Sequence, residues 1–345
     1  MIELLIFSIS LLGSYAGVAL FRVFSSKREL FDIPNDRSLH ETPTPRGGGL
    51  VIVLISLLLY CFISIWITGR ISWGYVIGAI LVAAISWCDD LYSISFIIRF
   101  GVHATAAFLV IGDLGYWNSL YVPVAGVTLQ IGTIGMALSF FWIVWIINAY
   151  NFMDGIDGIA GLQAVLAGAG WLIFAYIFGY ESIYLFAGVL LFAGLGFLIH
   201  NWHPAKVFMG DVGSAFLGFT FAVLPMLALG EKPENDAIIP IIAVSLLWFF
   251  IFDTVLTFFI RLLCGERVWT AHRRHLYQRL VLSGKSHGFA ASLYGLLAAT
   301  LGAAAIGFAV FRGTFELLLL SSIIITTAIL LLAVFGKNIL TSQSK

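Results

Sequence analysis

Charge is scarce in this sequence: Asp, Glu, Lys and Arg make up 10% of its 345 residues, where an ordinary soluble domain carries roughly a quarter. That shortage excludes a water-facing surface over most of the chain. Cysteine is scarce too, and Cys61, Cys88 and Cys264 show no C-x-x-C spacing, so neither a disulfide framework nor a cysteine-based zinc site is indicated. The net charge is zero and the few Lys and Arg form no stripe interleaved with aromatics, which excludes a nucleic-acid surface. The first apolar run lacks a basic segment ahead of it and is followed by Arg22, Lys27 and Arg28. It therefore reads as a retained membrane span rather than a cleaved leader, with the mature chain expected to begin near Met1.

What is present is apolar: 61% of residues are hydrophobic and the mean hydropathy is +1.02. A span needs about 20 apolar residues, and irregular backbone cannot face lipid. Eleven runs meet that description, at 2–22, 48–67, 71–88, 96–112, 133–150, 159–179, 182–200, 213–230, 237–262, 288–311 and 314–335. The expected fold is an all-α polytopic membrane protein, one membrane domain over 1–345. Alternating through these runs puts every Lys and Arg except Arg70, Lys232 and Arg312 on one face. By the positive-inside rule that face, with the C-terminus, is cytoplasmic and the N-terminus is outside.

The polar motifs fall on the same face. The first loop runs from Phe31 through His40 to Pro45-Arg46-Gly47-Gly48-Gly49; its prolines fix an extended course, its glycines permit close backbone approach, and Arg46 suits a phosphate. Asp89 and Asp90 end the third run, where adjacent carboxylates need a compensating cation. Arg99 and His103 stand four residues apart on the next run, as partners of those acids or as phosphate contacts. The series Asn148, Asn151, Asp154, Asp157, with Gly155 and Gly158, is more than helix capping explains in so apolar a chain. Its i, i+3 spacing brings the four groups toward one cleft. Between two further runs come Asn201, His203, Phe208, Gly210 and Asp211, an acid among glycines at a helix start. The ninth loop carries His272-Arg273-Arg274-His275, a set able to bind pyrophosphate or to enforce orientation. The oxygen-rich acids favour Mg²⁺, with Mn²⁺ as a substitute, over zinc.

In this order the segments resemble the polyprenyl-phosphate N-acetylhexosamine-1-phosphate transferases, and the resemblance covers nearly the whole chain. It implies transfer of a sugar-1-phosphate from a UDP-N-acetylhexosamine to undecaprenyl or another polyprenyl phosphate, releasing UMP, in a bacterial cytoplasmic membrane. Asp211 is then expected to coordinate Mg²⁺, with Asp89 and Asp90 at the reacting phosphates as base, ligand or nucleophile. Asn148, Asn151, Asp154 and Asp157 are expected in the nucleotide-sugar pocket, and Asn201 and Phe208 near uridine. His272, Arg273, Arg274 or Arg46 would neutralise charge developing on UMP, and His275 is a further catalytic candidate. The ninth loop lacks the consecutive histidines of the pentapeptide-using branch, so it is more similar to the O-antigen-initiating branch. Membrane lipid and a second copy of the chain, as a homodimer, complete the expected partners. A transporter or flippase is the rival reading, because many helices with polar groups also describe a substrate pathway. A structural membrane subunit is a second rival. The clustering of motifs at one membrane edge speaks against both.

Overall fold

Within lipid a backbone can satisfy its hydrogen bonds only internally, and the computed structural model of the protein forms a helix over each apolar run. The structure describes residues 1–34, 39–40, 42–232, 237–268 and 272–342. Parts of the first loop (35–38 and Glu41) and of the ninth (269–271) lie outside the described residues.

Helix α1 spans Ile2–Lys27 and is followed by a two-residue pairing of β1 (Phe31–Asp32) with β2 (Thr44–Pro45). Then come α2 (Gly49–Thr68), α3 (Trp73–Tyr92) and α4 (Phe96–Leu114), an antiparallel hairpin β3 (Ser119–Val122) and β4 (Val127–Gln130), and α5 (Ile134–Met153). Helices α6 (Ile159–Phe178), α7 (Glu181–Asn201) and α8 (Asp211–Glu231) follow. The remainder comprises α9 (Ile239–Leu246), α10 (Trp248–Leu263), α11 (Leu276–Leu282), α12 (His287–Phe311) and α13 (Thr314–Ser342).

Among the described residues ten helices are long and apolar enough to cross a membrane. The ninth expected run is not one straight helix: α9 and α10 meet at 73°. No proline or glycine marks that break, which falls at Leu247. The chain is thus a helical multi-pass membrane protein, as expected, with one bent pair and two minor hairpin pairings added.

Helix α8 is the hub, with 89% of its apolar window buried. Small residues let its neighbours come close, as in membrane helix packing generally. A Cβ on Gly213 would lie 2.6 Å from the Gly49 Cα of α2, and one on Gly218 would lie 2.8 Å from the Ile146 carbonyl oxygen of α5. The antiparallel course then sets the C-terminal ends of α3, α5 and α7 beside the N-terminal end of α8, which is where the polar motifs stand.

Candidate active site

The Pro-Arg-Gly-Gly-Gly loop is laid against the segment that opens α8. Phe208 N–H donates to the Pro45 carbonyl at 2.8 Å, Gly47 and Gly48 N–H donate to the Phe208 carbonyl at 3.2 and 3.0 Å, and Gly49 N–H donates to that of Met209 at 2.9 Å. Such close backbone pairing needs the glycines: a Cβ at Gly47, whose φ is +98°, would meet the Trp87 ring at 2.7 Å. The pairing delivers Arg46, whose Nη2 lies 2.6 Å from Asp90 Oδ1 and 2.8 Å from Asp211 Oδ1.

The neighbouring carboxylates of α3 have different duties. Both oxygens of Asp90 accept from the first turn of α8, Oδ1 from Asp211 N–H at 2.9 Å and Oδ2 from Val212 N–H at 3.0 Å. Asp90 therefore caps α8 from outside its own helix, meeting orphan amides and the positive end of the helix dipole. Asp89 instead pairs with Arg99 of α4, accepts Ile94 N–H at 2.5 Å, and has its carboxyl in contact with that of Asp211. Arg99 also comes within 3.6 Å of Asp211 Oδ2.

Two carboxyl groups in contact require a proton or a cation between them. Asp154, just past α5, adds to this demand. No hydrogen bond or ion pair from a described residue reaches its carboxyl group. Burial first, and then the charges of Asp211, Asp90 and Asp157, push it well above the usual carboxylate range despite Arg46. For Arg46 burial works toward discharge, yet Asp211, Asp90 and Asp32 hold the guanidinium above its ordinary value. The arginines only partly offset this acid excess, and its donors are all oxygen. That is the chemistry of a Mg²⁺ site, so the residues present fit the ion.

Beside this cluster opens a cavity of about 500 Å³ lined by Asp32, His40, Arg46, Asp154, Asp157, Asn201, Phe208, Asp211, Gln278 and His287 among others. Its size suits a nucleotide-sugar-sized ligand. Asn201, buried at the end of α7, accepts Gly158 N–H at 3.0 Å through Oδ1 and donates to the Val207 carbonyl at 2.9 Å. It thereby ties the Asp154–Gly158 turn to the segment before α8. The Phe208 ring stands edge-on to His40 at 4.9 Å. Asp157 is buried, but His287 and His203 hold its carboxylate below the usual range. The distance from its Oδ2 to His203 Nδ1 is 2.7 Å.

Other expected residues lie away from this lining. Asn151 donates to Ser214 Oγ at 3.0 Å, and Asn148 donates to the Val144 carbonyl at 2.7 Å with His103 at 3.5 Å. In the ninth loop, Arg274 pairs with Glu266 at 2.6 Å, and neither His272, Arg273 nor Arg274 lines the cavity. Burial and the neighbouring His275 push His272 down to about 4, so it is uncharged at neutral pH. His275 turns Nδ1 to the buried Asp253 at 2.9 Å. That same carboxylate accepts Leu276 N–H at 2.9 Å, Thr257 O–H and Tyr277 N–H at 3.2 Å, and Tyr294 O–H at 2.6 Å. Tyr277 in turn donates to the Phe152 carbonyl at 3.0 Å, fastening α11 to the chain beside Asp154.

Reading along the sequence missed His287 and Gln278 as cavity residues and gave Asp253 no partners. Its available signal was weak, a lone Asp in an apolar run and a lone His at a helix start.

The same segments are matched by known proteins. Residues 72–229 match the model of glycosyl transferase family 4. A probable undecaprenyl-phosphate N-acetylglucosaminyl 1-phosphate transferase of Bacillus subtilis is 28% identical, the match covering 81% of this chain and 78% of that protein. A decaprenyl-phosphate N-acetylglucosaminephosphotransferase of Mycobacterium leprae is 30% identical, over 79% of this chain and 75% of the relative. An undecaprenyl-phosphate alpha-N-acetylglucosaminyl 1-phosphate transferase of Haemophilus influenzae is also 30% identical, over 80% and 78%. With the carboxylates of α3, of α8 and of Asp154 just past α5 gathered at one mouth and these relatives matched over most of their length, the chain belongs to glycosyl transferase family 4, among its polyprenyl-phosphate N-acetylhexosamine-1-phosphate transferases.

Proposed function

We propose that the protein transfers N-acetylhexosamine-1-phosphate from a UDP-sugar to a polyprenyl phosphate and releases UMP, at the cytoplasmic face of a bacterial inner membrane. The observation that carries the reading is the meeting of Arg46, Arg99, Asp89, Asp90 and Asp211 at the mouth of a cavity large enough for a nucleotide sugar. N-acetylglucosamine, named in all three relatives, is the first sugar to test. The initiating step of O-antigen or a related envelope polysaccharide is the pathway proposed.

One phosphoanhydride replaces another in this reaction, so the catalytic task is electrostatic and positional. Asp211 and Asp89 would hold Mg²⁺, with Asp154 close by. When bound, the ion supplies charge neutralisation for the pyrophosphate of the UDP-sugar. Asp90 fixes the start of α8 and hence the aim of Asp211, while Arg46 and Arg99 restrain the carboxylates and offer guanidinium charge to phosphate oxygens. The acceptor phosphate, with a second pKa near 6, is largely dianionic at neutral pH and needs little help from a base. Asn201, Phe208, Asp154 and Asp157 form the nucleotide-sugar wall. Asn148 and Asn151 support that wall from α5, and His275, with His272 against its ring, orders α11 behind it.

The test is UMP release by purified protein given polyprenyl phosphate, Mg²⁺ or Mn²⁺ and a panel of UDP-sugars. Release that requires lipid, metal and one UDP-sugar supports the assignment and identifies the donor. Folded protein that releases no UMP from any of them would refute it.

A further inference from the structure

We propose that Asp157, His203 and His287 form a site for a borderline transition-metal ion such as Zn²⁺, separate from the hard-cation carboxylates at Asp89 and Asp211. The three residues come from different parts of the fold: the turn after α5, the turn after α7 and the first residue of α12. His203 Nδ1 lies 2.7 Å from Asp157 Oδ2, His287 Nδ1 lies 3.3 Å from Oδ1, and all three donor atoms fall within 4.8 Å of one another. Metal–ligand bonds of about 2.0–2.2 Å in a tetrahedral site place ligand atoms roughly 3.3–3.5 Å apart, so occupancy needs only small side-chain shifts.

His287 Nδ1 faces the Asp157 N–H at 3.4 Å as well as the Asp157 carboxylate, whose Oδ2 also accepts Ala205 N–H at 3.2 Å. Two imidazole nitrogens with one carboxylate oxygen select Zn²⁺-like ions over Mg²⁺. Asp157 and His287 line the cavity, while His203, outside that lining, is 39% exposed. The fourth position therefore opens toward water or a phosphate oxygen, the arrangement of three protein ligands with one open position. None of this depends on the transferase reading.

The experiment uses full-length protein in detergent carrying Asp211→Asn, which weakens the carboxylate cluster, and Co²⁺ in excess Mg²⁺ as the probe. The expected result is one Co²⁺ per chain, with the visible absorption of a four-coordinate site without thiolate ligands, displaced by Zn²⁺. His203→Ala and His287→Ala should each weaken binding at least tenfold, and His272→Ala should not. His287→Gln, which keeps a polar side chain of similar size, separates ligand loss from misfolding and should bind as poorly as His287→Ala. Absence of the absorption, or binding unchanged in the folded His203 and His287 variants, would overturn the proposal and leave the cluster as a hydrogen-bonded network around Asp157.

Discussion

Asp253, inside α10, and Asp211, the first residue of α8, are both carboxylates on apolar helices, and their surroundings differ in one decisive way. Asp253 is wholly buried and accepts five hydrogen bonds, from His275, Leu276, Thr257, Tyr277 and Tyr294. Its lone pairs are occupied by the fold. Asp211 has a side chain 24% exposed, shares Arg46 with Asp90, and faces a second carboxyl group across a contact that only a proton or cation can relieve. The saturated Asp253 builds structure, and Asp211, left short of donors, is available to a ligand. The same distinction separates adjacent residues in α3, where Asp90 is occupied by α8 amides and Asp89 turns to Arg99 and Asp211.

The comparison can be broken most sharply at Asp211. Asp211→Asn keeps the shape and removes the charge, so UMP release should fall by about 10³-fold while the thermal melting point stays near that of the parent. Asp89→Asn should behave alike, and a melting point lowered strongly in either would contradict the division. Asp253→Ala should do the opposite. It orphans buried donors, and a loss of about 3–5 kcal/mol of stability is expected, read by chemical or thermal unfolding in detergent. Asp253→Asn, which retains an acceptor oxygen, should recover part of that loss.

Arg46→Lys is a finer test, because a lysine cannot span Asp90 and Asp211 as a planar guanidinium does. The expected result is a KM for UDP-sugar raised about tenfold with a smaller change in kcat, measured by steady-state UMP release. An unchanged KM would remove Arg46 from the anion path.

The smallest effect concerns pH. His272 is held at about 4, below its usual value near 6.5, so the unfolded chain takes up this proton first as pH falls. Its contribution is whole above about 6.5 and declines as pH falls toward about 4. His272→Gln should flatten stability over that window, as followed by melting temperature against pH. A steeper slope would reverse the sign. Asp157, held low by His287 and His203, acts only under more acidic conditions, its contribution being lost as pH falls below about 4.

Much of this was legible in the sequence because it is local. The membrane runs follow from hydropathy, and Asp89-Asp90, Asn148 to Gly158 and Phe208 to Ser214 each place their polar groups within a few residues at a helix end. The lesson stops where packing decides. Nothing in the string distinguishes Asp89 from Asp90, since the difference is which of them meets the first turn of α8. Nothing joins His203 to His287, because α6, α7 and α12 must pack before Asp157 can sit between them. The 73° break at Leu247 is equally silent, being apolar on both sides. The ninth-loop histidines looked catalytic from their chemistry, and the fold turns His275 to Asp253 instead of the cavity.

The most direct test of the division between saturated and unsaturated carboxylates is UMP release by Asp211→Asn across a Mg²⁺ titration, using protein whose melting curve matches the parent. A rate about 10³-fold lower that added Mg²⁺ does not restore is the predicted result. A parental rate with a parental Mg²⁺ response would contradict the account.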